Sequence, residues 1–376
     1  MFRSVFVLGH LYGIRIEIHV SWLIIFALIL VTMSAGLQHQ FPEWPLGVAM
    51  GTALTTALLF FSSILAHELG HSLVAIRRGI PVRAITLFLF GGMAQMSRDT
   101  TSPEDEFRIA IAGPLVSLGL AASFGLLALL TSGLYEPIPV ALAWLALINL
   151  VVAVFNMVPG FPLDGGRVFR ALVWKWTGDP GKGIRAAVFG GRLVAYGLFA
   201  LALYNGLVLG NLIGGLWLVL ISWFLLFLAQ NQGRMYELRE RLSGIRARDL
   251  ADTNPPMVPP ETRLDEWLSA YALPAARRSF LVGEAGRPLG LITLSDLKKV
   301  GREAWPETRI TDVMVPMDQL VTVTPDTGAE ELLQLMSEHD LNQIPVIKDG
   351  RVQGWIDRQR LLQTIELHME ADSARA

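Results

Sequence analysis

The chain has 376 residues, of which 52% are hydrophobic and 17% are charged. Soluble domains contain about 25% charged residues, so this composition excludes a disordered chain and an ordinary soluble enzyme, and it indicates a protein partly embedded in lipid. The formal net charge of −2 provides no basic field for nucleic acid, and we expect no nucleic-acid partner. The absence of cysteine excludes disulfides, thiolate metal sites and cysteine nucleophiles.

Six apolar runs are candidate membrane spans, because a bilayer requires about 20 mostly apolar residues. They are residues 20–33 extended by their flanks, 45–76, 109–130, 138–158, 186–209 and 212–229. Only Gly210 and Asn211 separate the last two runs, so one long bent helix is an alternative there. We expect a polytopic α-helical membrane domain over residues 1–235, in contact with the lipid bilayer of the cell membrane.

The basic residues alternate between the loops. Lys and Arg cluster before the first run, between the second and third, between the fourth and fifth, and after the sixth. The other three loops, near 38–44, 132–137 and 204–210, contain neither residue. Because cytoplasmic loops have the excess of Lys and Arg, this pattern predicts a multi-pass protein with both termini in the cytoplasm.

The second run contains the pattern H-E-x-x-H, formed by His67, Glu68 and His71. At about 100° per residue these side chains share one helix face, where two imidazoles can bind one Zn²⁺ and the carboxylate can reach water. An ionisable group at the bilayer centre costs about 2.5–3.5 kcal/mol, which favours a bound metal over unpartnered side chains. Arg77 marks the cytoplasmic end of this run, which places His67 about 15 Å deep.

Two histidines leave a catalytic zinc one protein ligand short. The fourth run ends at Asn156 and continues into a stretch rich in Pro and Gly that contains Asp164. Asp164 is the candidate third ligand, with a surface turn at the membrane edge as the alternative. Asn156 is a candidate hydrogen-bond donor to an oxyanion, with a helix-end cap as the alternative.

These motifs resemble the site-2 protease family of intramembrane zinc metalloproteases. The resemblance covers roughly residues 10–230 and rests on H-E-x-x-H, on Asn156 followed by Pro-Leu-Asp-Gly-Gly at 162–166, and on Ala-Gly-Pro-Leu-Val-Ser at 112–117. It implies that His67, His71 and Asp164 hold one zinc per chain and that Glu68 is the general acid and base. It also implies that the substrate is a transmembrane protein. Bacterial relatives often cleave membrane regulators such as anti-sigma factors, which suggests a substrate class by analogy.

Residues 85–90, between the second and third runs, are apolar but too short to span a bilayer. They predict a short re-entrant β segment over 82–96, whose edge pairs with an unwound substrate by strand addition. An interfacial loop packed on the helical bundle is the alternative.

The rest of the chain contains a repeat, because residues 246–300 and 310–364 align with each other. Phe280 aligns with Ile344, and Gly290 with Gly354. The residues at 290–296, 312–314 and 344–346 resemble a tandem pair of cystathionine beta-synthase (CBS) domains. We expect a cytoplasmic α/β CBS pair, with a linker at 236–245, a first domain at 246–305 and a second at 306–370.

Such pairs often bind adenine nucleotides through a Thr and an Asp of the last motif, which here correspond to Thr293 and Asp296. The second copy has Asp357 and Arg360 instead, so we expect at most one ordinary site, for ATP or another adenine nucleotide. The alternative for Asp296 is a helix N-terminal residue stabilised by the helix dipole. We expect the pair either to bias access to the zinc site or to mediate a homodimer.

The sequence therefore predicts a zinc-dependent intramembrane endopeptidase that performs regulated proteolysis. The alternative is a CBS-regulated channel or transporter. That alternative accounts for six spans and the repeat, but it leaves H-E-x-x-H and Asp164 unexplained as a set.

Overall fold

A computed structural model describes residues 5–89, 91–242, 244–284, 287–349, 351–359 and 361–363. Residue 90 of the predicted β segment, and Arg360 and residues 364–370 of the predicted second CBS domain, lie outside the described residues. The chain separates into two compact units, Met1–Tyr236 and Glu237–Ala376.

The first unit begins with a β-hairpin that the sequence analysis did not predict. Strands β1 (Val5–Leu11) and β2 (Ile14–His19) pair antiparallel around a turn at Gly13, whose φ of 80° favours glycine. Ile14 and Ile16 are buried on one face of β2. Their spacing is the two-residue period of a strand.

Long helices make up most of this unit. In chain order the helices are α1 (Ser21–Gln40), α2 (Leu46–Arg77), α3 (Pro103–Leu130), α4 (Pro137–Asn156), α5 (Asp164–Thr177), α6 (Pro180–Leu203) and α7 (Leu212–Leu242). All except α5 are long and apolar enough to cross a membrane, which agrees with the six predicted runs. The last two runs are separate helices, because the chain turns at Gly210 with a φ of 71°.

Polar caps and prolines fix where two of these helices begin. The hydroxyl of Ser102 accepts a hydrogen bond from the amide of Asp105 at 3.2 Å, and a proline follows Ser102 as the first residue of α3. Asp179 caps α6 in the same way, with 2.7 Å between its Oδ1 atom and the amide of Gly181. Each cap satisfies amides that lack a partner in the first helical turn.

A four-stranded sheet packs beside α2. Strands β3 (Val82–Phe88) and β4 (Gly91–Met96) form a hairpin, so the structure has the predicted strands at 82–96. The strand order is β1-β2-β3-β4, with β2 and β3 parallel and the other pairs antiparallel. One hydrophobic cluster joins the sheet to α2 and α3, and its buried residues are Ile14, Ile16, Ala75, Ile80, Val82, Ile85 and Ile109.

The connection between α4 and α5 packs closely on α6. A Cβ atom at Gly190 would overlap the carbonyl oxygen of Pro159, and one at Gly191 would overlap that of Phe161. The amide of Phe161 also donates a hydrogen bond to the carbonyl of Ala187, at 3.0 Å. The two glycines therefore let the backbone that precedes α5 lie directly on α6.

Among its described residues, the second unit contains short helices and two small sheets. Its elements are α8 (Ala247–Leu250), β5 (Met257–Val258), α9 (Leu264–Glu266), β6 (Ser279–Glu284), β7 (Arg287–Thr293), α10 (Leu294–Leu297), β8 (Val315–Pro316), α11 (Ala329–Glu338), β9 (Gln343–Lys348) and β10 (Arg351–Asp357). The strand orders are β5-β6-β7-β8 and β10-β9.

The sequence repeat is visible in this unit. The β6–β7 and β9–β10 hairpins are both antiparallel, and each has a parallel partner on its first strand, at Val258 for β6 and Val323 for β9. Each copy has its own buried cluster, one containing Trp267 and the other containing Leu332. Trp355 is buried in a third cluster that joins β10 to β6 and β7.

Candidate metal centre

Helix α2 presents His67, Glu68 and His71 to the interior of the first unit. The two imidazoles are 5% and 4% exposed, and Glu68 is half-buried. The ring centroids of the histidines are 4.9 Å apart, as expected for residues one helical turn apart on one face.

The structure brings Asp164 to the two histidines. Its Oδ2 atom lies 3.1 Å from Nε2 of His67 and 3.3 Å from Nε2 of His71, and these two nitrogens are 3.2 Å apart. Asp164 is the first residue of α5, where the amide dipoles of a helix N-terminus favour a carboxylate. Within the described residues these three side chains form the group suited to hold a metal ion.

Helix α3 orients both imidazoles. The Nδ1 atom of His71 lies 2.6 Å from the carbonyl oxygen of Ile109, and that of His67 lies 2.8 Å from the hydroxyl of Ser117. A carbonyl oxygen only accepts, so Nδ1 of His71 holds a proton, and in the neutral imidazole the Nε2 atom then presents a lone pair. A lone pair facing a carboxylate oxygen and a second imidazole nitrogen fits a bound cation, and the two-nitrogen, one-oxygen donor set fits zinc.

Two glycines provide the space for these side chains. A Cβ atom at Gly113 of α3 would lie 2.6 Å from Nε2 of His67 and would overlap Nε2 of His71. A Cβ atom at Gly92 of β4 would lie 3.0 Å from Cδ of Glu68. No side chain larger than hydrogen fits at either position without moving the group beside it.

The site opens into a cavity of about 1230 Å³. Glu68, Asp164 and Asn156 all lie in its wall, together with strand β4 and apolar residues of α1 and α7. Asn156 is the last residue of α4 and is half-buried. The structure thus brings the predicted catalytic and metal-binding residues to one cavity.

The predicted nucleotide-binding residues are placed differently. Asp296 is 3% exposed, and its Oδ2 atom accepts hydrogen bonds from the amide and the hydroxyl of Thr293 at 2.9 and 2.7 Å. Its Oδ1 atom lies 2.7 Å from Nζ of Lys299. Asp296 thus lies in the first turn of α10, which is the helix N-terminal position given above as the alternative, and it forms a capping box with Thr293. A cavity of about 530 Å³ in the second unit is lined by other residues, among them Arg277, Arg278, Asn342, Trp355 and Arg358.

Comparison with known proteins decides the family. The model for peptidase family M50 matches residues 55–141 and 135–198, and the CBS domain model matches 247–303 and 310–367. A candidate zinc metalloprotease of Synechocystis sp. is 36% identical over 367 residues, which cover 95% of this chain and 94% of the relative. The chain belongs to the M50, or site-2 protease, family of zinc metalloproteases. The predicted family and enzyme class are therefore confirmed.

The chain is also similar to two proteins of Methanocaldococcus jannaschii. A zinc metalloprotease of Methanocaldococcus jannaschii is 31% identical to this M50 protease over 364 residues, with 94% of each chain covered. The solved site-2 protease of the same organism is 32% identical and covers 61% of this chain and 96% of its own, with a TM-score of 0.42. The family and the six apolar helices together make the chain a multi-pass membrane protein with a CBS pair.

Several residues around the site of this M50 protease were not assigned a role from the sequence. Ser117 and Gly113 belong to the motif at 112–117, but that motif alone does not show that one residue contacts a histidine and the other makes room for it. Ile109 contacts His71 through its backbone carbonyl, so the identity of its side chain does not indicate this role. Glu106, which pairs with Arg167 near Asp164, was also missed. Glu106 could have been identified as a candidate because it is a charged residue near the start of an apolar helix.

Proposed function

We propose that this M50 protease hydrolyses peptide bonds of transmembrane protein substrates, with zinc held by His67, His71 and Asp164. The observation that supports this most directly is the convergence of these side chains beside Glu68 in a cavity bounded by membrane-type helices. The Nε2 atom of His71 faces Asp164 and His67, and both imidazoles are buried. Ligands of a catalytic zinc need this convergence of donor atoms.

Glu68 is the proposed acid–base residue. A zinc ion bound at this site supplies Lewis-acid chemistry, which polarises a carbonyl group and acidifies water. The Glu68 carboxylate accepts the proton of the attacking water and donates it to the nitrogen of the leaving amine. Asn156 lies in the same cavity wall, where its side-chain amide can donate a hydrogen bond to the developing oxyanion.

Strand β4 is the proposed binding surface for the substrate backbone. It is the last strand in the order β1-β2-β3-β4, and its residue Gly92 contacts Glu68. A substrate helix must unwind to expose its carbonyl groups, and an unwound segment can add to a sheet edge through backbone hydrogen bonds. Strand addition at β4 would bring a peptide bond next to Glu68. The re-entrant position of this hairpin in the membrane is part of the proposal.

We further propose that both termini, and the CBS pair with them, are cytoplasmic. The distribution of Lys and Arg among the loops supports this orientation. Because the chain has no cysteine, single cysteines introduced into the loops at 38–44 and 98–102 can be labelled from either side of the membrane. The proposal requires the second loop to be labelled from the cytoplasmic side and the first from the other side.

The CBS pair is proposed to bind an adenine nucleotide and to regulate cleavage. Since both oxygens of Asp296 are engaged, the cavity lined by Arg277, Arg278 and Arg358 is the better candidate for the phosphates. Calorimetric titration of the full chain with ATP tests this, with Arg278→Gln expected to weaken binding and the exposed Arg351→Gln as the control. If ATP neither binds nor alters cleavage, the nucleotide proposal is wrong.

Cleavage of a single-span model substrate in liposomes tests the enzymatic proposal. We expect the wild-type protein to cleave in a zinc-dependent manner and a chelator to stop it. Glu68→Gln should bind stoichiometric zinc but lose about 10²- to 10⁴-fold in rate, the usual contribution of a general acid–base group. Full activity in Glu68→Gln would refute the role of Glu68. Absence of both zinc and cleavage in the wild type would refute the proposed site.

A further inference from the structure

A buried ion pair links α3 to α5 beside the metal-binding residues. Glu106 of α3 is 1% exposed. Its Oε1 atom lies 3.0 Å from Nε of Arg167 and 3.6 Å from Nη1 of Arg170, and its Oε2 atom accepts a hydrogen bond from the hydroxyl of Thr100. A buried carboxylate is tolerated only when such partners satisfy it, and removing one partner leaves the other unpaired.

This pair lies within one helical turn of the metal-binding residues on both helices. Arg167 is three residues after Asp164 in α5, so the two side chains lie on neighbouring parts of the same helix face. Glu106 is three residues before Ile109, whose carbonyl oxygen contacts His71. One face of α3 therefore contacts α5 through Glu106 and the two histidines through Ile109 and Ser117.

The Arg167 guanidinium stays charged at neutral pH. Burial alone would lower the pKa of the Arg167 guanidinium, but the carboxylates around it, Glu106 foremost, together raise that pKa above its usual value. Arg167 is therefore a permanent cation whose position depends on the carboxylate opposite it.

We infer that Glu106 is a positioning residue for the metal centre: by holding Arg167, it fixes the first turn of α5 and so places Asp164 against His67 and His71. The inference rests on the proposed function in taking these three residues as the zinc ligands. Glu106 lies in the wall of the same cavity but is not one of the three proposed ligands. Its role is to set the distance between the carboxylate on α5 and the imidazoles on α2.

A second ion pair between the same two helices provides a matched control. Glu104 lies 2.9 Å from Lys175, also joining α3 to α5, but these side chains are 50% and 65% exposed. Exposed pairs contribute about 0–1 kcal/mol, and Lys175 is three helical turns from Asp164. Glu104→Gln, which removes this pair, should leave the metal centre unchanged. If zinc binding required any ion pair between α3 and α5, Glu104→Gln and Glu106→Gln would both weaken it.

The first experiment measures zinc affinity of the full-length protein in detergent by competition with a chromophoric chelator. We expect Glu106→Gln and Arg167→Gln each to weaken zinc binding about 10- to 100-fold, the usual effect of losing a group that orients a metal ligand. Glu104→Gln should stay at the wild-type affinity. The visible spectrum of the Co²⁺ form should also change in Glu106→Gln, because the ligand geometry changes. Wild-type affinity and spectrum in Glu106→Gln would overturn the inference.

The second experiment does not depend on zinc. The chain has no cysteine, so Leu163→Cys, next to Asp164 and 8% exposed, introduces a single thiol. In metal-free protein, Glu106→Gln should accelerate maleimide labelling of this thiol and Glu104→Gln should not. Equal labelling in both would overturn the positioning role. If the wild-type protein bound no zinc, the proposed function would fail and this labelling would still decide whether Glu106 holds α5.

A milder variant covers the case in which Glu106→Gln does not fold, judged by loss of monodisperse elution. Thr100→Val removes one hydrogen bond to Glu106 and leaves both ions in place. It should shift zinc affinity and thiol labelling in the same direction by a smaller factor. No shift in either measurement would count against the inference.

Discussion

The hydroxyl of Ser117 lies 2.8 Å from Nδ1 of His67, and both groups are buried. This contact fixes the rotation of the imidazole and turns its other nitrogen toward Asp164. Such contacts set the orientation and basicity of a metal ligand without touching the metal. Helix α3 thus orients a side chain of α2 that we propose binds zinc.

Replacing Ser117 with Ala is expected to weaken zinc binding about 10-fold, because the ring of His67 loses its orienting partner. Chelator competition on purified protein measures this. Ser123→Ala is the matched control on α3, since that hydroxyl only bonds the carbonyl of Gly119 in its own helix. Equal affinities in the two variants would show that the Ser117 contact does not orient the ligand.

Gly113→Ala is expected to weaken zinc binding by more than Ser117→Ala does, because the added methyl group would overlap Nε2 of His71. Overpacking a filled site costs about 1–3 kcal/mol, and here the displaced groups are the ligands themselves. Gly119→Ala on the same helix adds a methyl group in open space and should bind zinc normally. Zinc content by mass spectrometry distinguishes them, and normal zinc in Gly113→Ala would contradict the geometry.

Gly190→Ala tests whether the packing of the α4–α5 connection on α6 sets the position of Asp164. The methyl group would overlap the carbonyl oxygen of Pro159 and push this connection away from α6. We expect weaker zinc binding and lower cleavage rates, whereas Gly197→Ala, which faces open space on α6, should behave as wild type. Wild-type behaviour of both variants would mean that the loop tolerates displacement.

Leu332→Ala is expected to destabilise the second unit by about 2–5 kcal/mol, because this side chain is fully buried in the cluster of the second repeat. Hydrogen exchange of the α11 amides in the full-length protein measures the change. Leu273→Ala, at a side chain that is 68% exposed, should change the free energy of opening measured by hydrogen exchange by less than about 0.5 kcal/mol. Unchanged protection of α11 in Leu332→Ala would show that this cluster does not stabilise the helix.

Sequence alone was enough where the signal was local or chemically rare. H-E-x-x-H places three groups on one helix face by spacing, so His67 and His71 follow from a single helix. Asp164 was predicted as their partner because it is the carboxylate in the Pro- and Gly-rich stretch after α4, and the structure places it beside both histidines. The six spans follow from the length of their apolar runs, which the structure matches.

The missed features depend on packing between distant segments. The roles of Gly113 and Glu106 arise only where α3 crosses α2 and α5, and no pattern within α3 specifies those crossings. The helix α5 has 14 residues with charged side chains among the apolar ones, so it is too short and too polar to stand out as an apolar run. The strand pattern at Ile14 and Ile16 was obscured by the apolar run that follows it.

The space left by Gly113 bears on how relatives of this protein are judged. A chain can retain both histidines, the glutamate and the aspartate and still bind zinc more weakly if a larger residue stands at the position of Gly113, because a side chain there would overlap the imidazole nitrogens. An intact set of ligands is therefore an insufficient criterion for separating active proteases from inactive homologues. The hydrogen atom that replaces a side chain at this point of α3 therefore belongs to the proposed catalytic centre together with the proposed ligands.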